Sequence, residues 1–228
     1  HKAELFAQYG AFATTAEGED QTIKLENDVS ALEFSSRGGY LRKATLKDYK
    51  NYTGEDTTNV VLFEENDNSY GFIFKTGARV IDTQNLYFTP TATDSTVDMT
   101  LNLAGGAQWN VRYTLPQDSY RLQMEITQNG MEKVIPQNIV NLDMYWDLKM
   151  PRQEKGRMFE QNNSALYYKH TGDDVDNLRE KGDHDKYVKT SLKWIGYKDQ
   201  FFTSAFIADN NFNEAFLVTE DLEKDPKY

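Results

Sequence analysis

The chain has no cysteine among its 228 residues and only three histidines. The absence of cysteine excludes disulfide bonds, thiolate catalysis and cysteine-ligated zinc. The sequence also lacks any apolar run of about 18 residues, the length that a membrane-spanning helix needs. Residues 1–4 do not lead into the apolar segment of a signal peptide. We therefore expect a fragment of a longer protein that folds without covalent cross-links.

Basic side chains are fewer than acidic ones. The chain has 25 Lys and Arg residues and 36 Asp and Glu residues, which gives a formal net charge of −11. An acidic surface repels phosphate backbones, so the composition argues against nucleic acid as a partner. The same repulsion argues against docking on anionic lipid through the whole surface of the domain.

Aromatic side chains are abundant, with 14 Tyr and 13 Phe, and they are sufficient to build a core. Apolar and polar residues alternate over residues 97–103, 109–115 and 120–126, and turn residues separate the three segments. Three consecutive period-2 segments predict a three-strand antiparallel meander with one buried and one solvated face. Residues 142–148 have the same pattern and predict a further strand.

At least ten short strands follow one another without a linker or an internal repeat. This series predicts an all-β fold with minor α content, arranged as a large two-sheet sandwich. We assign residues 21–228 to a single domain and residues 1–20 to a lead-in segment. The apolar residues from Leu5 to Phe12 have helical spacing, but Gly10 weakens a helix there. A short helix and a disordered lead-in both remain open.

Residues 170–190 are crowded with charge and have no apolar period, which predicts a mobile surface loop. A calcium loop starting at Asp174 would need glycine at its sixth position, where Arg179 stands. His170 and His184 do not form the i, i+4 pair of a helical zinc site. We therefore expect no metal and no cofactor. The aspartates considered in this segment are Asp173, Asp174, Asp176, Asp183 and Asp185, of which Asp185 would occupy the twelfth position of the loop.

Catalytic motifs are also missing. The sequence has no nucleophile elbow, no P-loop and no dinucleotide-binding fingerprint. Asp143 and Asp147 share one face of a predicted strand, and a two-residue spacing on such a face, about 7 Å, suits acid–base chemistry. Acids that alternate along a strand are, however, typical of its solvent-facing side. The sequence predicts a protein that is not an enzyme.

The densest apolar stretch is residues 193–208, KWIGYKDQFFTSAFIA. Its composition predicts two core strands joined by a short bend. We predict that Trp194, Phe201 and Phe202 are largely buried and attach the C-terminal strands to the sandwich. Near the other end of the chain, Gly38-Gly39 supplies the positive φ angles that a tight hairpin turn requires.

Three segments resemble, in the same order, the periplasmic domain of YidC, the bacterial membrane protein insertase family. Residues 193–204 resemble its signature K-W-[IV]-[AG]-x-K-x-Q-[FY]-F-[ST]-[STA]. Residues 32–41 resemble its early strand, Gly-Gly turn and return strand, and residues 153–160 look like the form in Bacteroidetes members. The residues that carry this resemblance, which we interpret as structural, are Gly38, Gly39, Lys193, Trp194, Lys198, Gln200, Phe201 and Phe202.

The resemblance implies a β-supersandwich of two large antiparallel sheets, similar in fold to galactose mutarotase, with short helices near the ends. It implies a periplasmic location, as an extracytoplasmic domain of an inner-membrane protein. Catalysis is not carried over, because mutarotases need a catalytic His and this chain offers only His170 and His184, both in the charged segment.

The resemblance also implies a function in assisting the insertion and folding of inner-membrane proteins. Its implied partners are the Sec translocon, through SecDF and SecYEG, and nascent membrane proteins. We expect the domain to be a monomer. The alternative function is a carbohydrate-binding or sugar-epimerising β-sandwich.

Overall fold

The computed structural model describes residues 1–172, 174–179, 181–222 and 225–228. Antiparallel strands dominate and the α-helices are short, so the predicted all-β class is confirmed. None of the described helices has the length and apolar character needed to cross a membrane. The chain divides into two compact units, which are His1–Tyr49 with Phe63–Leu148 and Lys50–Leu62 with Lys149–Tyr228.

The first unit opens with helix α1 (Lys2–Tyr9) and a 3₁₀ helix, Gly10–Thr15. Phe12 is fully buried and stacks on Phe74 with 5.1 Å between ring centroids. The helical spacing of the lead-in segment thus corresponds to packed structure. The other 3₁₀ turns of this unit are Thr83–Asn85, Ala104–Gly106 and Met131–Lys133.

The strands of the first unit form antiparallel sheets. One sheet contains β1, β2 and β3; a second has the order β10-β9-β8-β7; a third has the order β11-β5-β6. The hairpin tip that connects β3 to β4 belongs to the second unit. The strands up to Leu148 are β1 (Thr22–Glu26), β2 (Ser30–Ser35), β3 (Tyr40–Asn51), β4 (Thr58–Phe63), β5 (Asn68–Thr76), β6 (Arg79–Asp82), β7 (Thr89–Ala92), β8 (Thr96–Asn102), β9 (Gln108–Thr114), β10 (Gln123–Asn129) and β11 (Asp143–Leu148). All of β4 except Phe63 belongs to the second unit.

The predicted meander is present as β8, β9 and β10. β8 and β9 bury alternate residues, as their period of two requires. Strand β10 starts at Gln123, later than predicted, and most of its residues are exposed because it lies at the edge of its sheet. The core of this unit is aromatic, with Trp109 packed against Phe72 and Phe74 at centroid distances of 4.9 and 5.1 Å.

The described residues of the second unit form one short helix and two antiparallel sheets, with the orders β13-β12-β15-β16 and β14-β17. Its core is a cluster of Leu166, Tyr168, Val188, Leu192 and Leu217. The elements are α2 (Arg157–Asn162), β12 (Ala165–His170), β13 (Val175–Arg179), β14 (His184–Val188), β15 (Leu192–Lys198), β16 (Thr203–Phe212) and β17 (Ala215–Thr219).

The prediction of a loop over residues 170–190 was wrong, because this segment supplies β13 and β14. Their backbones pair with the apolar strands β12 and β17, and that pairing does not depend on their own side chains. An ion pair connects the two strands, because Lys186 Nζ on β14 lies 3.0 Å from Asp176 Oδ2 on β13. The hydrogen bond from Lys186 lowers the pKa of Asp176 to about 2. Asp173, one of the aspartates considered in this segment, lies outside the described residues.

Candidate functional site

The predicted site residues fall into two groups, one in each unit. Lys193, Trp194 and Lys198 lie on β15, and Gln200, Phe201 and Phe202 lie in the turn that follows it. We call the turn of residues 199–202 the signature turn. Gly38 and Gly39 form the hairpin turn between β2 and β3 in the first unit.

On β15, alternate side chains lie on opposite faces of the sheet. Ile195 and Tyr197 pack against the core cluster of the second unit. Trp194 has the opposite parity to these two residues and lies between Lys169 and Ile207 on the neighbouring strands. The strand register shifts between Leu192 and Trp194, and Leu192 belongs to the core cluster. Lys193 Nζ donates hydrogen bonds to the carbonyl oxygens of Asp209 and Asn210, which attaches β15 to the far end of β16.

The signature turn is fixed by one buried carboxylate. Asp199 Oδ1 accepts hydrogen bonds from the backbone N–H groups of Phe201 and Phe202, at 2.8 and 2.7 Å. The backbone N–H of Asp199 donates to the carbonyl of Phe202 at 3.0 Å and closes the turn. Such side chain-to-backbone bonds allow aspartate to replace regular strand pairing locally.

Lys198 holds the same turn from the other side. Its Nζ donates to the carbonyl oxygens of Asp199 at 3.1 Å and Gln200 at 3.5 Å. A third bond, at 3.4 Å, goes to the carbonyl of Asn163 at the end of α2. The ammonium group thereby connects the helix to the signature turn.

The turn presents Phe201 outward, with 65% of the residue exposed. The prediction that Phe201 is largely buried was wrong. Trp194 and Phe202 are partly buried. The backbone N–H groups of residues 201 and 202 both donate to Asp199, which fixes the turn on which Phe201 is exposed.

Two buried carboxylates lie beside the signature turn. Glu160 on α2 accepts the backbone N–H of Gln153 at 2.7 Å and that of Glu154 at 3.3 Å. Burial raises the carboxyl pKa of Glu160, and burial likewise raises that of Asp199. Glu160 and Asp199 line one cavity of about 20 Å³, enough for a single water molecule.

Arg152 is the cation of this cluster. Its Nε lies 4.0 Å from Glu160 Oε2 and has no hydrogen-bond partner among the described residues. Its Nη2 donates to the carbonyls of Glu154 and Lys155, both at 3.1 Å. The sequence reasoning missed the pair Glu160 and Asp199, although both residues lie within the segments that carry the family resemblance.

The glycine turn of the first unit is closed and buried. Gly38 and Gly39 have φ angles of 82° and 65°. A Cβ on Gly39 would lie 3.0 Å from the ring carbons of Phe88. The Gly39 carbonyl accepts a 2.8 Å hydrogen bond from the Tyr113 hydroxyl, which itself accepts one from Tyr70 at 2.8 Å. Burial raises the pKa of both tyrosines, so both stay neutral.

A polar cleft of about 690 Å³ lies on the first unit. Two ion pairs cross it, Arg42 to Asp20 at 3.1 Å and Lys43 to Glu64 at 3.1 Å. Paired charges of this kind are engaged with each other and do not form a nucleophile with an adjacent base. The residues that line the cleft are Asp20, Glu33, Ser35, Arg37, Tyr40, Arg42, Lys43, Glu64, Glu65, Asn66, Gln84 and Asn85.

The histidines and aspartates that the sequence offered for chemistry are engaged locally. His170 Nδ1 lies 2.9 Å from Thr190 Oγ1, and His184 Nε2 lies 3.0 Å from the Lys181 carbonyl. Asp143 pairs with Lys75. Across the part of the chain that the structure describes, no group of three potential ligands that could hold a metal ion is found.

Comparison with known proteins gives a consistent result. The family model described as the YidC periplasmic domain matches residues 22–228. A membrane protein insertase YidC from Porphyromonas gingivalis is 34% identical over 216 residues, 93% of this chain and 34% of the relative. Its counterpart from Parabacteroides distasonis is 36% identical over 217 residues, 94% of this chain and 34% of the relative.

A more distant relative of the same name, from Amoebophilus asiaticus, is 26% identical over 238 residues, the whole of this chain and 39% of the relative. The chain therefore spans little more than a third of the length of the curated relatives that it matches.

Proposed function

The chain belongs to the YidC periplasmic domain family, and we propose that it is a non-catalytic domain that assists a membrane protein insertase. In this proposal the domain helps inner-membrane proteins to insert and fold. The match over residues 22–228 is the observation that carries it. The predicted membership of this family is confirmed. In this proposal the domain lies on the extracytoplasmic side of the inner membrane.

Insertion itself is assigned, in this proposal, to parts of the relatives that the chain does not cover. The domain contributes surfaces for partners, which are the Sec translocon, through SecDF or SecYEG, and nascent membrane proteins. Exposed side chains of the second unit support the proposal that this domain contributes surfaces for partners. The second unit exposes several large apolar side chains on its strands, among them Ile207 on β16 and Phe216 on β17. Exposed apolar residues of this size suit transient protein contacts.

The residues of the family signature have structural roles in this proposal. Gly38 and Gly39 close a buried turn, while Lys193 and Lys198 hold strands and turns through backbone carbonyls. The backbone carbonyl of Gln200 accepts a hydrogen bond from Lys198 Nζ. The domain acts as a monomer, which light scattering during gel filtration measures directly.

Photo-crosslinking in cells tests the proposed partners. A photoreactive residue is placed in the full-length protein at Phe216, at Ile207, or at Leu192 as a buried control. We expect adducts with Sec components or nascent chains from at least one exposed position, and none from Leu192. The absence of any protein adduct from every exposed position, in cells where insertion proceeds normally, would contradict the proposal.

A second candidate function is carbohydrate binding, which the polar cleft of the first unit favours. Amide side chains and the Tyr40 ring are common elements of sugar sites, and both line this cleft. Calorimetry with aldoses, together with a mutarotation assay, decides between the two functions. Binding or turnover that Tyr40→Ala abolishes would support the carbohydrate function; the proposed function predicts neither.

A further inference from the structure

One corner of the second unit combines exposed apolar side chains with basic ones. Met158 is 76% exposed and Phe159 is 64% exposed, both on α2, and Phe201 is 65% exposed on the signature turn. Lys155 is exposed just before the helix, and Lys198 follows at the base of the turn. We call this set of residues the basic apolar corner.

The corner is a single fixed surface. Lys198 Nζ donates to the Asn163 carbonyl at 3.4 Å, and Asn163 Nδ2 donates to the Phe159 carbonyl at 2.8 Å. Glu160 on the helix and Asp199 in the turn line the same small cavity. Buried polar groups therefore hold α2 beside the signature turn, and the exposed rings project from supports that are themselves ordered.

The segment around the start of α2 is basic, although the chain is acidic. Residues 149–159 contain four basic side chains and one acidic side chain, and Glu160, which follows, is buried; the formal net charge of the whole chain is −11. Lys149 and Lys155 are exposed. A short basic segment next to exposed Met and Phe side chains has the composition of surfaces that bind at the interface of an anionic bilayer.

We infer that the basic apolar corner docks this domain on an anionic phospholipid surface, with Phe201, Phe159 and Met158 inserted among the headgroups. Burial of the rings and attraction of the exposed Lys155 to lipid phosphates act together. The acidic surface outside the corner is repelled by the anionic lipid, so docking through the corner fixes the orientation of the domain.

A lipid surface fits the corner better than a protein partner does. The three apolar side chains are exposed, and the cavity lined by Glu160 and Asp199 is large enough for only one water molecule. Projecting side chains need no matching pocket in a fluid interface, whereas a protein partner must supply one for each. The inference rests on membership of a membrane insertase family and is independent of any contact with the translocon.

Vesicle flotation tests the inference with the 228-residue chain. One set of vesicles is pure phosphatidylcholine, and the other contains phosphatidylglycerol in addition. We expect binding to the anionic vesicles that weakens as salt is added. The double variant F159S/F201S should bind about tenfold more weakly, and Lys155→Glu at least about fivefold more weakly.

The matched control is Phe6→Ser on α1, which removes an aromatic side chain that is 59% exposed in the other unit. It should bind like the unsubstituted chain, and all variants should keep the same melting temperature. Failure to bind anionic vesicles, or binding that the corner variants leave unchanged, overturns the inference and assigns the corner to a protein partner. Since the vesicles contain no protein, this failure is distinct from a failure of the crosslinking test.

Discussion

Two turns in this molecule are both fixed by hydrogen bonds, but one is buried and the other exposes an aromatic side chain. The glycine turn at Gly38-Gly39 is covered by Phe88 and hydrogen-bonded to buried Tyr113. The signature turn is held by the buried Asp199 carboxylate and the Lys198 ammonium, yet it exposes Phe201. The first arrangement closes a core, and the second presents a side chain.

The difference lies in what occupies the tip of each turn. In the glycine turn the tip has no side chain, so aromatic rings approach the backbone closely. In the signature turn the backbone N–H groups point inward to Asp199, and the side chain of Phe201 has only solvent to enter. A well-supported turn with an exposed aromatic ring indicates a contact surface, because core stability gains little from it.

The largest expected effect concerns the glycine turn. Gly39→Ala should lower the free energy of unfolding by about 2–4 kcal/mol, because it combines a positive φ with a close approach to Phe88. Gly105→Ala is the matched control, since Gly105 has a φ of 82° but nothing within 4 Å of an added Cβ. Its cost should be about 1 kcal/mol. Equal costs in urea unfolding would show that Phe88 does not restrict the turn.

The signature turn should be the next most sensitive. Asp199→Ala removes the acceptor of two backbone N–H groups, and we expect a loss of about 1–3 kcal/mol. The control is Asp94→Ala at an exposed turn, which should change stability by less than about 0.5 kcal/mol. If the two variants unfold at the same urea concentration, Asp199 does not hold the turn.

Trp194 and Leu192 lie on the same strand and allow a partly exposed residue to be compared with a core residue. Because Trp194 lies outside the core cluster and is partly exposed, Trp194→Ala should cost about 1–2 kcal/mol. Leu192→Ala, at a fully buried position of the same strand, should cost about 2–5 kcal/mol. Thermal unfolding of both variants checks this order, and a larger loss at Trp194 would restore the role of the indole as a core residue.

The smallest effect is the pH dependence of the carboxylates behind the signature turn. Burial raises the pKa of Glu160 and Asp199 above their ordinary values of 4.5 and 3.8. The folded protein therefore holds protons more tightly than the unfolded chain, and this contribution to stability is lost as pH rises through the raised pKa values. The melting temperature of E160Q/D199N, minus that of the unsubstituted chain, should increase from about pH 4 to about pH 7.

Asp176 has the opposite shift, but both proteins contain it, so its effect cancels in the difference. A difference in melting temperature that stays constant with pH would show that the two carboxylates ionise as they do in the unfolded chain.

Local patterns predicted the strands that bury one face. The alternation over residues 97–103 and 109–115 is visible in sequence because every second residue enters the core, and β8 and β9 follow it. The same reasoning failed for β13, which pairs with the preceding strand β12, and for β14, which pairs with β17 near the end of the chain.

The candidate site was harder to predict for two physical reasons. Aromatic residues are usually buried, so the exposure of Phe201 depends on the direction in which Asp199 turns the backbone. Acidic residues are usually exposed, so the burial of Glu160 and Asp199 follows only from packing between α2 and the signature turn. Amino-acid composition does not predict the exposure of Phe201 or the burial of Glu160 and Asp199.

Hydrogen exchange at the backbone amides of Phe201 and Phe202 tests most directly whether the signature turn is a fixed support for an exposed ring. The account predicts that both amides exchange at least about tenfold more slowly than in an unstructured peptide, and that Asp199→Ala removes this protection. Exchange at the rate of an unstructured peptide in the unsubstituted chain would contradict it.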